Sequence, residues 1–158
     1  MNGLTKTQFL NGCFEYLADF DEGFEITLNT INKDKIKFDG QLRVFADWLN
    51  DYCYGRQFRN KKRLINKRLK MIAGIEYGIL NDGLHAHIAI KHDQDMKRSL
   101  QEINAVARKN WGKLIGFKCG LTNSLVNVMP YRHYEALVFY SLKDSHRYDN
   151  HNLTYSFL

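Results

Sequence analysis

The apolar patterning of this chain predicts an α+β fold built on one antiparallel sheet, and three observations predict it. Two segments that alternate apolar and polar residues, 71–80 and 84–92, are joined through Asn81-Asp82-Gly83, a hairpin signature. A third alternating segment, 24–31, stands upstream of them. Between and after these strands run segments whose apolar residues recur every three or four positions, the period of a helix packed on one side.

Taken in order, residues 4–20 read as a short helix with Phe9, Leu10, Phe14 and Leu17 on one side. In FEITLNTI (24–31), Phe24, Ile26 and Leu28 point one way and Glu25, Thr27 and Asn29 the other. The following INKDKIKFDG reads as a polar loop. Residues 40–54 form a helix whose stripe is Leu42, Phe45, Leu49 and Tyr52, with Asp39 as N-cap. After the hairpin, 95–111 is a second helix, marked by Met96, Leu100, Ile103, Ala107 and Trp111. A strand falls within 114–129, around SLVNVM, and a last helix, 131–144, begins just after Pro130. The polar and aromatic tail from 145 onward has no assignment. The order β-α-β-β-α-β-α is that of a ferredoxin-like (RRM-like), split βαβ sheet. Helices are expected on one face, leaving the other open for a site.

The chain has 158 residues, which favours a single domain spanning 1–158, with a core of about 24–144 and the two ends as extensions. Hydrophobic residues make up 44%, enough for a core, so intrinsic disorder is excluded. No apolar run approaches the ~20 residues of a membrane span. The mixed polar and acidic N-terminal sequence does not read as a secretory leader. Cys13, Cys53 and Cys119 are odd in number and far apart, which fits reduced thiols and a cytoplasmic setting. They read as small core residues, Trp48 and Trp111 as packing residues, and His92, His146 and His151 as surface residues. The formal net charge of +6 is uneven. Arg56, Arg59, Lys61, Lys62, Arg63, Lys67, Arg68 and Lys70 put eight cations and no acid into 56–70, which leaves the other 143 residues at −2. One concentrated basic stretch points to a local polyanion contact. It runs directly into the strand bearing Glu76, which would place it to hold a nucleic-acid backbone beside that residue.

The hairpin carries the chemistry. In LHAHIAI, Leu84, Ala86, Ile88 and Ile90 take one face, and His85 and His87 the other. A connection of even length puts Glu76 of the preceding strand on the histidine face, and one of odd length puts it on the wrong face. Two imidazoles and a carboxylate suit Mg²⁺ or Mn²⁺ and accept Zn²⁺, Fe²⁺ or Co²⁺. A bare His-x-His also describes two solvated histidines; the core-face alternation, the in-register Glu76 and the turn favour the metal reading. In the last helix, His133, Ala136, Tyr140 and Lys143 form one stripe, opposite an apolar stripe of Tyr134, Val138 and Leu142. Lys143, one turn beyond Tyr140, would favour a developing phenolate or contact a phosphate. Tyr140 alone is equally a surface tyrosine, with Tyr131, Tyr134, Tyr148 and Tyr155 as competitors.

FEITLNT, GIEYGILNDGLHAHIAI and VNVMPYRHYEALVFYSLKD together resemble the three ordered motifs of the HUH endonucleases, most closely the rolling-circle replication initiators of plasmids and single-stranded DNA viruses. The resemblance spans about 24–144. The small Ala86 at the centre of the His-x-His departs from the bulky residue usual there. The resemblance implies that Glu76, His85 and His87 bind Mg²⁺ or Mn²⁺, that Tyr140 is the nucleophile and that Lys143 assists it. It implies a site-specific single-stranded DNA endonuclease and strand transferase, acting at a replication origin through a 5′-phosphotyrosine. The absence of a Tyr-x-x-x-Tyr around Tyr140 indicates the one-tyrosine class, and the upstream Glu76 favours initiators over relaxases and one-tyrosine transposases. The chain leaves no room for the helicase domain of larger members, so unwinding would need a separate helicase, or the chain is a fragment. A non-catalytic nucleic-acid-binding module is the alternative from another class. An iron oxygenase with the same ligand set has no evident use for 56–70, Tyr140 or Lys143.

Overall fold

The computed structural model describes residues 8, 11, 12, 15, 23–55, 68–77, 83–91, 96, 98–117, 125–131 and 153–154. Their elements are β1 (Gly23–Asn29), α1 (Lys35–Tyr54), β2 (Met71–Tyr77), β3 (Leu84–Lys91), α2 (Leu100–Leu114), β4 (Val126–Pro130) and the two-residue β5 (Leu153–Thr154). The fold is α+β. The sheet runs β4-β1-β3-β2-β5, and every described pairing is antiparallel. β5 lies beside β2 at Ala73 and Gly74, which places a piece of the tail that the sequence pattern left unassigned.

The alternation read in 24–31 is seen in the burial of β1, where Phe24, Ile26 and Leu28 are fully buried and their neighbours half-buried. The register sets Phe24 against Ile90, Ile26 against Ile88 and Leu28 against Ala86, and then Met71, Ala73 and Ile75 against the same β3 residues. These side chains share one core with Phe38, Leu42, Phe45, Leu49 and Cys53 of α1 and Ile103, Ala107 and Trp111 of α2. The two helices therefore cover one face of the sheet. Trp111 is fully buried and meets Phe38 and Phe45 edge-on, with centroids 5.7 and 5.9 Å apart. Its indole N–H donates to the Asn29 carbonyl at 2.7 Å and so ties α2 to the end of β1. Asn50 is buried with both ends of its amide bonded: it donates to the Ala46 carbonyl at 2.9 Å and accepts from the Leu69 N–H at 2.8 Å. That pair fixes where the chain enters β2. Cys53 carries a free thiol that burial pushes up to about 12, so it stays protonated at neutral pH.

Several boundaries differ from the sequence expectation. α1 begins at Lys35 rather than 40, with Asp34 as its N-cap; the Asp34 carboxylate accepts from the Lys37 N–H at 3.0 Å. Asp39 lies inside the helix and pairs with Arg43 at 2.9 Å. The charged KDKIKFDG looked like a loop, but Phe38 extends the buried stripe one turn toward the N-terminus. α2 begins at Leu100 rather than 95 because Ser99 and Glu102 form a reciprocal capping box. It also continues to Leu114, and the described part of the strand expected within 114–129 is Val126–Pro130. Tyr131 itself is not helical; its N–H donates to the Gly23 carbonyl at 3.3 Å and prolongs the β4–β1 ladder beyond Pro130. Proline is tolerated there because β4 is an edge strand.

The connection from Tyr77 to Leu84 spans 78–83, an even number of residues. Gly83 belongs at its end for a reason the turn signature did not give. A Cβ on Gly83 would lie 2.0 Å from the Thr30 carbonyl oxygen, where the chain leaving β1 passes. Residues 8, 11, 12 and 15 are helical within the predicted 4–20; the rest of that helix and 132–144 lie outside the described residues. No described helix is long and apolar enough to cross a membrane.

Candidate metal centre

The second face of the sheet carries the cluster. β3 presents His85 and His87 there, β2 presents Gly74 and Glu76, and β1 presents Glu25, Thr27 and Asn29. The register places Glu76 directly opposite His85 and leaves Gly74, with no side chain, opposite His87. The His87 imidazole can therefore lean toward Glu76 without a competing side chain from β2. Nε2 of His85 and Nε2 of His87 both face Glu76 Oε1, the latter at 3.1 Å. The two rings meet edge-on with centroids 5.2 Å apart. One donor atom from each of Glu76, His85 and His87 lies within 4.8 Å of the others, the arrangement of a three-donor cation site. Among the described residues this is the group with metal-ligand composition and spacing.

The donor set fits a divalent cation. Ligands held about 2.1 Å from one ion in cis positions are about 3 Å apart; the His87–Glu76 separation is 3.1 Å, a distance that also suits a hydrogen bond, and the three donors lie within 4.8 Å of one another. The charges point the same way. His87 meets a carboxylate on each ring nitrogen: Glu76 at Nε2, and Glu25 Oε1 at Nδ1, 2.8 Å away. A doubly protonated imidazole would donate to both carboxylates, whereas a neutral one has a single N–H and turns its lone pair to one of them. A cation between Nε2 and Glu76 would accept that lone pair and the carboxylate together. Two nitrogens and one carboxylate accept Mg²⁺, Mn²⁺ or a later transition metal.

The site is recessed. The side chains of Glu76, His87 and His85 are 10, 9 and 18% exposed. Ile72 and Ala89, on the same face, are also buried, so the face is not bare as the sequence reading had it. Low exposure strengthens charge–dipole contacts and raises the cost of leaving a charge unmatched.

The structure thus brings Glu76, His85 and His87 together. The other expected site residues fall differently. Tyr140 and Lys143 lie outside the described residues, as do Arg56, Arg59, Lys61, Lys62, Arg63 and Lys67 of the basic stretch. Lys70 is exposed just before β2, where its carbonyl accepts from Lys91 N–H at 3.1 Å. It enters the strand at the end away from Glu76, six residues earlier, or roughly 20 Å along an extended chain. The stretch thus runs directly into the strand bearing Glu76, as its sequence position implied, and its last residue, Lys70, stands at the opposite end of β2 from Glu76.

Glu25 and Thr27 were missed as site residues. Their polar-face position in β1 was the available signal, but it gains meaning only once β1 is known to pair with β3. Comparison of the chain with known protein families, curated proteins and solved structures gives no match.

Proposed function

We propose that the chain is a metal-dependent, tyrosine-type single-stranded DNA endonuclease and strand transferase of the HUH kind, acting to initiate rolling-circle replication. The observation that carries the reading is the convergence of Glu76, His85 and His87 on one face of the sheet. Support comes also from the element order β-α-β-β-α-β with strands in the order β4-β1-β3-β2, which agrees with a ferredoxin-like sheet. The same topology would serve a non-catalytic nucleic-acid-binding module; the recessed His–Glu cluster favours the enzyme, because a binding sheet gains nothing from two carboxylates beneath a phosphate.

A bound divalent cation would supply positive charge that polarises a non-bridging oxygen of the scissile phosphate. Glu76, His85 and His87 would hold it. Tyr140 would attack phosphorus through its phenolic oxygen as the P–O3′ bond breaks; the phenol gives up its proton and the departing 3′-oxygen gains one. Lys143 would favour the phenolate. The product is a 5′-phosphotyrosine and a free 3′-hydroxyl, and the reverse reaction rejoins strands. The basic stretch 56–70 would bind the DNA backbone, with a salt-dependent affinity.

Labelled single-stranded DNA libraries incubated with the protein and Mn²⁺ test this. The expected result is a covalent protein–DNA adduct in Mn²⁺ that is absent in EDTA and absent for Tyr140→Phe. No adduct across the library, or an adduct formed equally by Tyr140→Phe, contradicts the reading.

A further inference from the structure

We propose that Glu25 and Thr27 are positioning residues for the metal centre, holding His87 with its proton on Nδ1 so that Nε2 is the ligand atom. The inference rests on the metal reading of Glu76, His85 and His87. It adds two residues from a different strand and assigns the tautomer of one ligand.

The register creates the contact. In β1, Thr27 lies directly opposite His87, and Glu25 lies opposite Ala89, two residues further along β3. Glu25 therefore reaches His87 diagonally, a reach that acidic side chains can cover across antiparallel strands. The small Ala89 leaves that path open. Glu25 Oε1 receives the His87 Nδ1–H at 2.8 Å and the Thr27 hydroxyl at 3.2 Å. The Thr27 oxygen is itself 3.3 Å from Nδ1. One carboxylate oxygen thus faces two donors, which fixes its own rotamer as well as the ring.

The consequence for the metal follows from the shape of imidazole. Nδ1 and Nε2 lie on opposite sides of the ring, so a carboxylate on Nδ1 stays out of the coordination sphere while setting where the second nitrogen points. With the proton held on Nδ1, the Nε2 lone pair is aimed toward Glu76 Oε1, 3.1 Å away. A carboxylate accepting the outer N–H also makes the imidazole a stronger donor, the role of the outer carboxylate in carboxylate–histidine–metal triads. Glu25 is 14% exposed and His87 9%, so water competes little for this bond.

Two measurements test the assignment. Free Mn²⁺ is followed by its electron paramagnetic resonance signal during titration of wild type, Glu25→Gln, Thr27→Val and His87→Ala. Glu25→Gln is expected to weaken Mn²⁺ binding about 10–100-fold while keeping the wild-type unfolding midpoint, the size of loss known for outer-shell partners. Thr27→Val is expected to weaken it less. Long-range ¹H–¹⁵N spectra of the Zn²⁺-loaded wild type are expected to show the His87 proton on Nδ1 and the metal on Nε2, a readout that does not depend on any variant folding. An unchanged affinity in Glu25→Gln, a loss as complete as that of His87→Ala, or metal on Nδ1 of His87 each overturns the positioning role. Absence of Mn²⁺ binding by the wild type overturns the metal reading with it, whereas binding by wild type and Glu25→Gln alike overturns the positioning role alone.

Discussion

Trp111 joins the core to the site through one hydrogen bond. Its indole N–H holds the Asn29 carbonyl at 2.7 Å, and Asn29 pairs with His85 in β3. Trp111→Phe keeps an aromatic ring between Phe38 and Phe45 but removes that donor from Asn29. The expected cost is about 0.5–1.5 kcal/mol in urea unfolding, the net worth of one hydrogen bond; no measurable change in stability would contradict the anchoring role. At this scale the sequence was most informative where the period of a strand did the work. Glu76, His85 and His87 could be placed on one face because side chains alternate strictly and an even connection preserves the alternation. Glu25 and Thr27 could be placed on a polar face by the same rule. Their contact with His87 could not be read, because it joins residues about sixty positions apart and depends on which strands become neighbours.

Strand starts at 71 and 84 were legible from alternation, whereas both helix starts depended on caps that the apolar stripe does not reveal. Ser99 and Glu102 carry the S-x-x-E spacing that opens α2, and the start was nonetheless placed at 95 because Met96 fits the helical stripe. Met96 is buried in the same core without being in the helix. The box has a stability consequence. The Ser99 N–H and hydroxyl donate to Glu102 Oε2 at 2.9 and 3.0 Å, which holds the Glu102 carboxyl below its ordinary 4.5. A carboxylate with a depressed folded value stabilises the fold above its unfolded value and loses that contribution as pH falls through the folded one. Ser99→Ala is expected to cost about 1 kcal/mol at neutral pH. The stability difference between wild type and Glu102→Gln, measured by urea unfolding, is expected to shrink as pH falls below 4.5. A difference that stays constant from neutral to strongly acidic pH would contradict the capping role of the carboxylate. In α1 the misleading signal was compositional: alternating charges and Gly40 resemble a loop, while Phe38 in the same segment is fully buried.

For the whole molecule, strand order turns a two-strand motif into a site. A hairpin alone brings Glu76 to His85 and His87; the β4-β1-β3-β2 arrangement adds β1 and with it a second carboxylate. The α+β class and an antiparallel sheet with two helices on one face were legible from the order of patterns, since each segment can bury its apolar side only in a layered arrangement. The burial of Ile72 and Ala89 on the site's face was not, because both sit at positions that alternation assigns to the exposed side. The central claim is that Glu76, His85 and His87 form a cation site, and calorimetric titration with Mn²⁺ tests it most directly. Wild-type protein should bind Mn²⁺ at a single saturable site, and Glu76→Ala and His87→Ala should each lose that heat while remaining folded; binding that persists in both variants, or no saturable binding by the wild type, would contradict it.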